Sequence, residues 1–319
     1  MVSCPPVEPA FIVGTPRSGT TLLVNLMGAH PLLAPLYETR FLRNLLELCG
    51  SACWFWGNSL SRRCARLLGE YPARSQFLKK CEKFRWKVMV YHALPADGRP
   101  LKQPYESFPF GGEVCILYKL EELVRETDLW LEELRQGFAS CDSVYESARG
   151  YVDRLFSIHC ARMNKPYWVN KTPGLLTYLD RLPLLYPGAW CIHILRDGRD
   201  VAASNLSLQW GPASVRDAGR RWKKLVLQGR RNLDLDRLKY RELRYEDLIE
   251  SPGQVLRGIF SFLGLSADVD EILSRFKVYD QRVGAWRSAF SLEDRKIFAK
   301  EAGDLLIELG YEKDYAWVG

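Results

Sequence analysis

Two glycines, Gly14 and Gly19, stand with four residues between them. They follow the apolar run Phe11-Ile12-Val13 and precede Thr20-Thr21-Leu22-Leu23. No other stretch constrains the fold as much. Three consecutive apolar residues suit a strand buried on both faces of a parallel sheet. Residues without a Cβ let the backbone turn sharply. Thr20 and Thr21 then open an apolar helix. The first N–H groups of a helix are unpaired and point outward, so an anion binds well there. Strand, glycine-bracketed loop and helix together read as a phosphate-binding loop.

In the nucleotidase pattern the second glycine is followed by Lys and then Ser or Thr; here it is followed by Thr20 and Thr21. The missing lysine is replaced by a cation inside the loop, Arg17. A strand–turn–helix joint without a ligand is the alternative. Two glycines, an arginine and hydroxyls at one joint are more than a turn requires.

The remaining pattern is that of an α/β chain. Leu32–Tyr37 reads as a second strand, with a helix starting over Glu38-Thr39-Arg40-Phe41. Tyr167–Val169, Ala189–Leu195 and Tyr240–Tyr245 read as further strands. Helices are expected at Val201–Leu208, Arg216–Gln228, after Ser251-Pro252-Gly253, near Val269–Phe276 and at Leu292–Leu309, with Gly310 as a C-cap. Between about 51 and 165 the rhythm changes. Helical patterns at Leu60–Leu68, Gln76–His92, Val114–Gly137 and Asp142–Met163 surround a Pro/Gly-rich connection, Pro95 to Gly112. The expectation is α/β: a P-loop-type parallel sheet flanked by helices, with a mostly helical insertion over one sheet edge, in a single domain spanning 1–319.

Ligands of such sheets bind beyond the carboxyl ends of the strands. Arg17, Lys171 and Arg196 each follow a strand end, so all three cations should face one crevice and a ligand with several anionic groups. The net charge of +7 over 319 residues fits a small polyanion. No nucleic-acid-binding motif accompanies it. Nine scattered cysteines without a C-x-x-C pair, and four isolated histidines, complete no metal set; no metal is expected. Reduced thiols are the expected state of these cysteines. The N-terminus shows no basic region followed by an apolar core, and no stretch is long and apolar enough to span a membrane. A cytoplasmic location is expected.

The stretch from Phe11 to Leu23 resembles the 5′-phosphosulfate loop of sulfotransferases that use 3′-phosphoadenosine 5′-phosphosulfate (PAPS). Arg196-Asp197-Gly198-Arg199-Asp200-Val201-Ala202-Ala203-Ser204 resembles their 3′-phosphate motif. With Glu38-Thr39-Arg40, Asn170-Lys171 and Arg244-Tyr245-Glu246-Asp247-Leu248, the pattern is most similar to the bacterial and tyrosylprotein sulfotransferase branch. The resemblance runs from about Phe11 to Tyr311, outside the insertion. It implies PAPS as donor, 3′-phosphoadenosine 5′-phosphate (PAP) as product and no required metal.

From the resemblance, Thr15, Pro16, Arg17, Ser18, Gly19, Thr20 and Thr21 would hold the 5′-phosphosulfate. Arg196 and Ser204 would clamp the 3′-phosphate, and Tyr245 would touch the adenine. Lys171 would stabilise the leaving oxygen; the alternative is a solvated strand-end lysine. Glu38 is the candidate general base, with helix capping as its alternative and His30 as the next candidate base. His193, inside a strand, reads as a core residue. Trp286 would either close over the nucleotide or pack in the core. Gly284 occupies the position of a catalytic serine in the tyrosylprotein branch, so Lys171 would act without it.

The acceptor stays open: a small molecule, a carrier-bound group or a peptide. A basic stretch, Arg62, Arg63, Arg66, Arg74, Lys79, Lys80, Lys83, Arg85 and Lys87, is interleaved with Trp54, Trp56, Tyr71, Phe77, Phe84 and Trp86. It is either a solvated helix face or a dock for an acidic partner. Pro95–Gly112, with Tyr105, Phe108 and Phe110, is expected to line the acceptor entrance. Two rivals to a sulfotransferase remain. One is a P-loop nucleotide kinase or NTPase, with Ile192–Leu195 and Asp197 as a Walker B strand. The other is a nucleotide-binding module without catalysis.

Overall fold

The computed structural model describes residues 8–39, 41–57, 71–93, 105–110, 113–209, 211–276 and 282–319; at 55–57, 71–74, 89–93, 105–110, 113–118 and 120 it describes the backbone alone. The expected helix Leu60–Leu68, with Arg62, Arg63 and Arg66, lies outside the described residues, as do Arg40 and the side chains of Trp56, Tyr71 and Arg74.

Five strands form one parallel sheet in the order β2-β5-β1-β6-β7: β1 Ala10–Gly14, β2 Leu33–Tyr37, β5 Tyr167–Lys171, β6 Trp190–Leu195 and β7 Lys239–Arg244. Period-two alternation explains why the central strands are apolar throughout. Phe11 and Val13 enter the core on one face, while Ala10 and Ile12 enter the core on the other. Cys191 follows the first pair and Ile192 and Ile194 the second.

Besides a single helical turn at Leu182–Leu185, the described α-helices are α1 Thr20–Gly28, α2 Phe41–Gly57, α3 Tyr71–Ala93, α4 Leu120–Gln136, α5 Cys141–Met163, α6 Gly198–Leu206, α7 Val215–Arg231, α8 Tyr245–Glu250, α9 Pro252–Phe262, α10 Val269–Ser274, α11 Trp286–Ala289 and α12 Leu292–Glu308. Their starts follow local chemistry. Ser140, Ser214 and Ser291 accept the backbone N–H three residues on and so cap α5, α7 and α12. Tyr245, expected to end a strand, instead opens α8.

The insertion helices share their core with the sheet. Phe77, Cys81, Phe84 and Val88 make one buried face of α3; they belong to the same apolar cluster as Phe11, Val13, Trp130 and Phe156. The basic residues of α3 lie off this face. Lys79, Lys80 and Lys83 are exposed, Arg85 pairs with Asp128 through two hydrogen bonds, and Lys87 donates to Asn44.

Two further expectations need correction. The segment from Val114 is not helical until Leu120. Tyr105–Phe110 (β3) and Glu113–Lys119 (β4) form an antiparallel hairpin, so the Pro/Gly-rich connection is partly a strand. A short apolar run such as Val114–Tyr118 fits either element by pattern, and cross-strand pairing decided it. The cysteines are not all reduced: Cys53 of α2 and Cys141 of α5 form a disulfide. The reading of uniformly reduced thiols fails there, and a cytoplasmic location loses that support. Cys49, Cys81, Cys160 and Cys191 are free and buried. No helix among the described residues is long and apolar enough to cross a membrane.

Candidate active site

β1 delivers the chain to the loop at the carboxyl end of the sheet. Gly14 is tight against β6: a Cβ there would lie 2.7 Å from the Ile194 carbonyl oxygen. Arg17 and Gly19 both take positive φ, 73° and 88°. For arginine this is a rare conformation, held here by the loop around it. Thr15 Oγ1 and Ser18 Oγ are 2.5 Å apart, and Ser18 N donates to the Thr15 carbonyl. Both side chains are buried and lock the loop from within. Pro16 is half-buried, Thr20 is buried and Thr21 is exposed in the first turn of α1. The Tyr245 ring lies against Gly19, so closely that a Cβ would come within 2.3 Å of it.

At the end of β6, Arg196 organises the second half of the site. Its Nη1 donates to the Arg17 carbonyl at 2.9 Å, its Nη2 donates to the Arg282 carbonyl, and its guanidinium sits 4.5 Å over the Tyr245 ring. Arg17 Nε donates to Ser204 Oγ at 2.9 Å. Arg17 therefore turns toward the serine of α6. Partial burial, then Arg282, then Arg196 hold the Arg17 guanidinium below the usual arginine value. Like charges crowd only where something else gathers them, and an anion between them would relieve the repulsion.

Arg282 is the residue missed in the sequence. It becomes legible only through Asp200. This carboxylate, fully buried one turn into α6, accepts the N–H of Gly284 at 2.8 Å and of Trp286 at 3.0 Å, and lies 3.6 Å from Arg196. It pins the segment 282–286 beside the loop. Burial pushes the Asp200 carboxyl up, against the two amides and Arg196 that favour its charge. Gly284 has φ +72°, a conformation that disfavours a serine.

Trp286 lies in a core cluster. Arg199 stacks on it at 3.9 Å, and Trp317 and Phe290 meet it edge-on. The Trp286 backbone N–H donates to Asp200. Asp197 spends both carboxylate oxygens on Arg199, which also pairs with Glu312. A Walker B aspartate needs that carboxylate for a magnesium ion, so the kinase reading loses its second motif.

On the other side of β1, β5 and β2 bring Lys171 and Glu38 together. Lys171 is opposite Tyr37 in the register, and its Nζ lies 2.9 Å from Glu38 Oε1. The lysine side chain is 4% exposed and the glutamate 53%, so the pair has a buried cation and a solvent-facing carboxylate. α2 starts at Phe41, and the Glu38 carboxylate faces Lys171. His30 sits before β2, at the opposite end of the sheet. The Leu32 N–H donates to its Nδ1, so its Nε2–H donates to the Ser266 carbonyl. Both ring nitrogens are engaged in the turn. His193 is buried between Tyr240 and Glu242.

Loop, Arg196, Ser204, Tyr245, Lys171 and Glu38 thus lie at the carboxyl ends of β1, β2, β5, β6 and β7. Among the described residues no cluster of His, Cys, Asp or Glu could hold a metal.

The profile described as the sulfotransferase family matches residues 9–92 and 119–270, well over half of the chain. Nodulation protein NoeE of Sinorhizobium fredii is 28% identical over 215 residues, covering 52% of this chain and 49% of its own length. An uncharacterized protein of Aquifex aeolicus is 24% identical over 282 residues, covering 86% of this chain and 27% of its own. The chain thus spans about half the length of the first relative and about a quarter of the second. Among solved structures, the sulfotransferase domain of the Synechococcus PCC 7002 olefin synthase is 17% identical, with a TM-score of 0.45, covering 92% of this chain and 94% of that one.

Proposed function

The chain belongs to the sulfotransferase family, and from that premise we propose that it transfers a sulfuryl group from PAPS to a hydroxyl or amine of an acceptor. The observation that carries this reading is the convergence of Arg17, Arg196, Arg282 and Ser204 on one point beside the phosphate loop. A donor with a second, 3′-phosphate needs a second anion site, and an ordinary nucleoside triphosphate does not.

When bound, PAPS supplies the sulfuryl group and a phosphate leaving group; the remaining work falls to the chain. The amides of Ser18–Thr21 and the start of α1 bind the 5′ anion. Arg196, Ser204 and Arg282 bind the 3′-phosphate, where guanidinium forks suit its oxygens. The Tyr245 ring, wedged between Arg196 and Gly19, offers a flat wall for the adenine. Lys171 neutralises charge that grows on the leaving oxygen, and its burial strengthens this effect. Glu38, exposed on the solvent side of Lys171, accepts the acceptor's proton. Sulfuryl transfer resembles phosphoryl transfer in its loose, in-line transition state, so positioning and fixed charge can supply most of the catalysis.

Incubation with 35S-labelled PAPS and a panel of phenols, sugars, peptides and carrier-bound hydroxyls tests the proposal. Label transfer together with stoichiometric PAP supports it. Tight PAP binding with no transfer to any class would favour a nucleotide-binding module instead.

A further inference from the structure

The reactive pair Glu38–Lys171 is backed by a buried polar group on the opposite face of the sheet. Thr39, the chain neighbour of Glu38, places its Oγ1 2.8 Å from Asn170 Nδ2 and 3.2 Å from Thr172 Oγ1. Residues 170 and 172 flank Lys171 on both sides. One hydroxyl beside the candidate base therefore grips both neighbours of the candidate leaving-group lysine.

The two faces are distinguished by register. Asn170 is opposite Phe11 and Leu36, members of the apolar core on one face. Lys171 is opposite Ile12, a member of the core on the other. Thr39, Asn170 and Thr172 are all buried. Polar groups are costly there unless they bond to one another. With the Asn170 amide donating, the Thr39 hydroxyl accepts once and has its own proton for Thr172.

We propose that Thr39 is a positioning residue for the transfer reaction: its hydroxyl, clasped to Asn170 and Thr172, holds Glu38 and Lys171 at their working separation. The inference rests on the sulfotransferase reading given above. Thr39 touches neither donor nor acceptor in this account. It acts by fixing where two other side chains start, and small displacements of reacting groups are expensive in rate.

Thr39→Val keeps the shape and removes both hydrogen bonds, whereas Thr39→Ser keeps both. Full-length wild type and the two variants are compared in three ways: steady-state transfer from PAPS to para-nitrophenol, PAP binding by calorimetry, and crystal structures. Thr39→Val is expected to lower kcat about tenfold or more, with PAP affinity and donor KM within about twofold of wild type, and Thr39→Ser to keep most of the rate. A Val variant that turns over normally, a Ser variant as impaired as Val, or loss of PAP binding in the Val variant would each overturn the proposal. If the wild type transfers nothing to para-nitrophenol or to any acceptor class of the panel above, the functional reading fails, and the crystal structures still judge the clasp. Lys171 Nζ and Glu38 Oε1 separating beyond about 4 Å in Thr39→Val would uphold it, and a contact unchanged from wild type would refute it.

Discussion

Arg17 Nε donates to Ser204 Oγ at 2.9 Å, a contact between residues 187 apart in the chain. It joins the phosphate loop to α6 at the point where Arg196 also holds the Arg17 carbonyl. The loop and the proposed second anion site are thus one hydrogen-bonded unit. A ligand that fills only the loop leaves the crowded guanidiniums uncompensated.

A bisphosphorylated nucleotide should therefore stabilise the protein far more than 5′-AMP. At a PAP concentration of 100 times its Kd the gain is about 2.7 kcal/mol, read as a rise in Tm. Ser204→Ala and Arg282→Ala should each narrow the difference between the two nucleotides. Equal shifts with PAP and AMP would remove the role given to Arg196, Ser204 and Arg282.

Glu38→Gln should leave PAP affinity intact and lower transfer by about 10²-fold or more, the usual size of a general-base loss. The same change removes the carboxylate opposite Lys171, so thermal melting must be measured beside turnover. Near-normal turnover would return Glu38 to a purely structural pairing with Lys171.

The loop, the strand ends and their cations could be read from local pattern, because a phosphate loop requires particular residues at fixed spacing. The approach of Glu38 to Lys171 could not be read in that way. It depends on β5 inserting between β2 and β1, a strand order that no local periodicity encodes. Arg282 was silent for a similar reason: its segment is brought in by Asp200, 84 residues before Gly284. The hairpin 105–119 was hidden because its second strand is a short apolar run continuous with α4, and such runs fit either period. Cys53 and Cys141 carry no spacing signature; only the packing of α2 against α5 makes them neighbours.

Gly19→Ala should destabilise the protein by about 1–3 kcal/mol in denaturant unfolding and weaken PAP binding. Two causes act together, a positive φ of 88° and the Tyr245 ring 2.3 Å from the added Cβ. Tyr245→Ala in the same chain should recover only the steric part. A Gly19→Ala protein as stable as wild type would mean that the loop backbone relaxes freely.

Glu242 should shape the acid limb of the stability curve. Burial pushes its carboxyl up, but hydrogen bonds from His193 and Arg230 outweigh this and bring it down from 4.5 to about 2. A group lowered in the folded state adds stability above its ordinary value and loses it as pH falls through the folded one. Wild-type Tm should thus drop between pH 4.5 and about 2. Glu242→Gln should be less stable at neutral pH and flatter across that window. Parallel curves for the two proteins would place the acid sensitivity elsewhere.

The Cys53–Cys141 bond closes a span of 88 residues that contains the whole of α3, β3, β4 and α4. A cross-link over so long a loop removes much unfolded-state entropy, and disulfides of this kind contribute about 2–4 kcal/mol. Reduction should therefore lower the unfolding free energy by about that amount and expose the insertion first to limited proteolysis. The sheet and the anion site have their own contacts outside the closed loop, so PAP affinity should hold under reducing conditions. The double variant Cys53→Ser, Cys141→Ser should match the reduced wild type in Tm and should no longer respond to reductant. The four free thiols among the described residues are buried, and burial pushes the Cys81 and Cys160 thiols up to about 11. Alkylation of the oxidised native protein should accordingly spare Cys49, Cys81, Cys160 and Cys191, and reduction should add Cys53 and Cys141 to the modified set. If Cys53 and Cys141 are alkylated without any reductant, the bond is not present in the native protein, and the expectation of reduced thiols is restored.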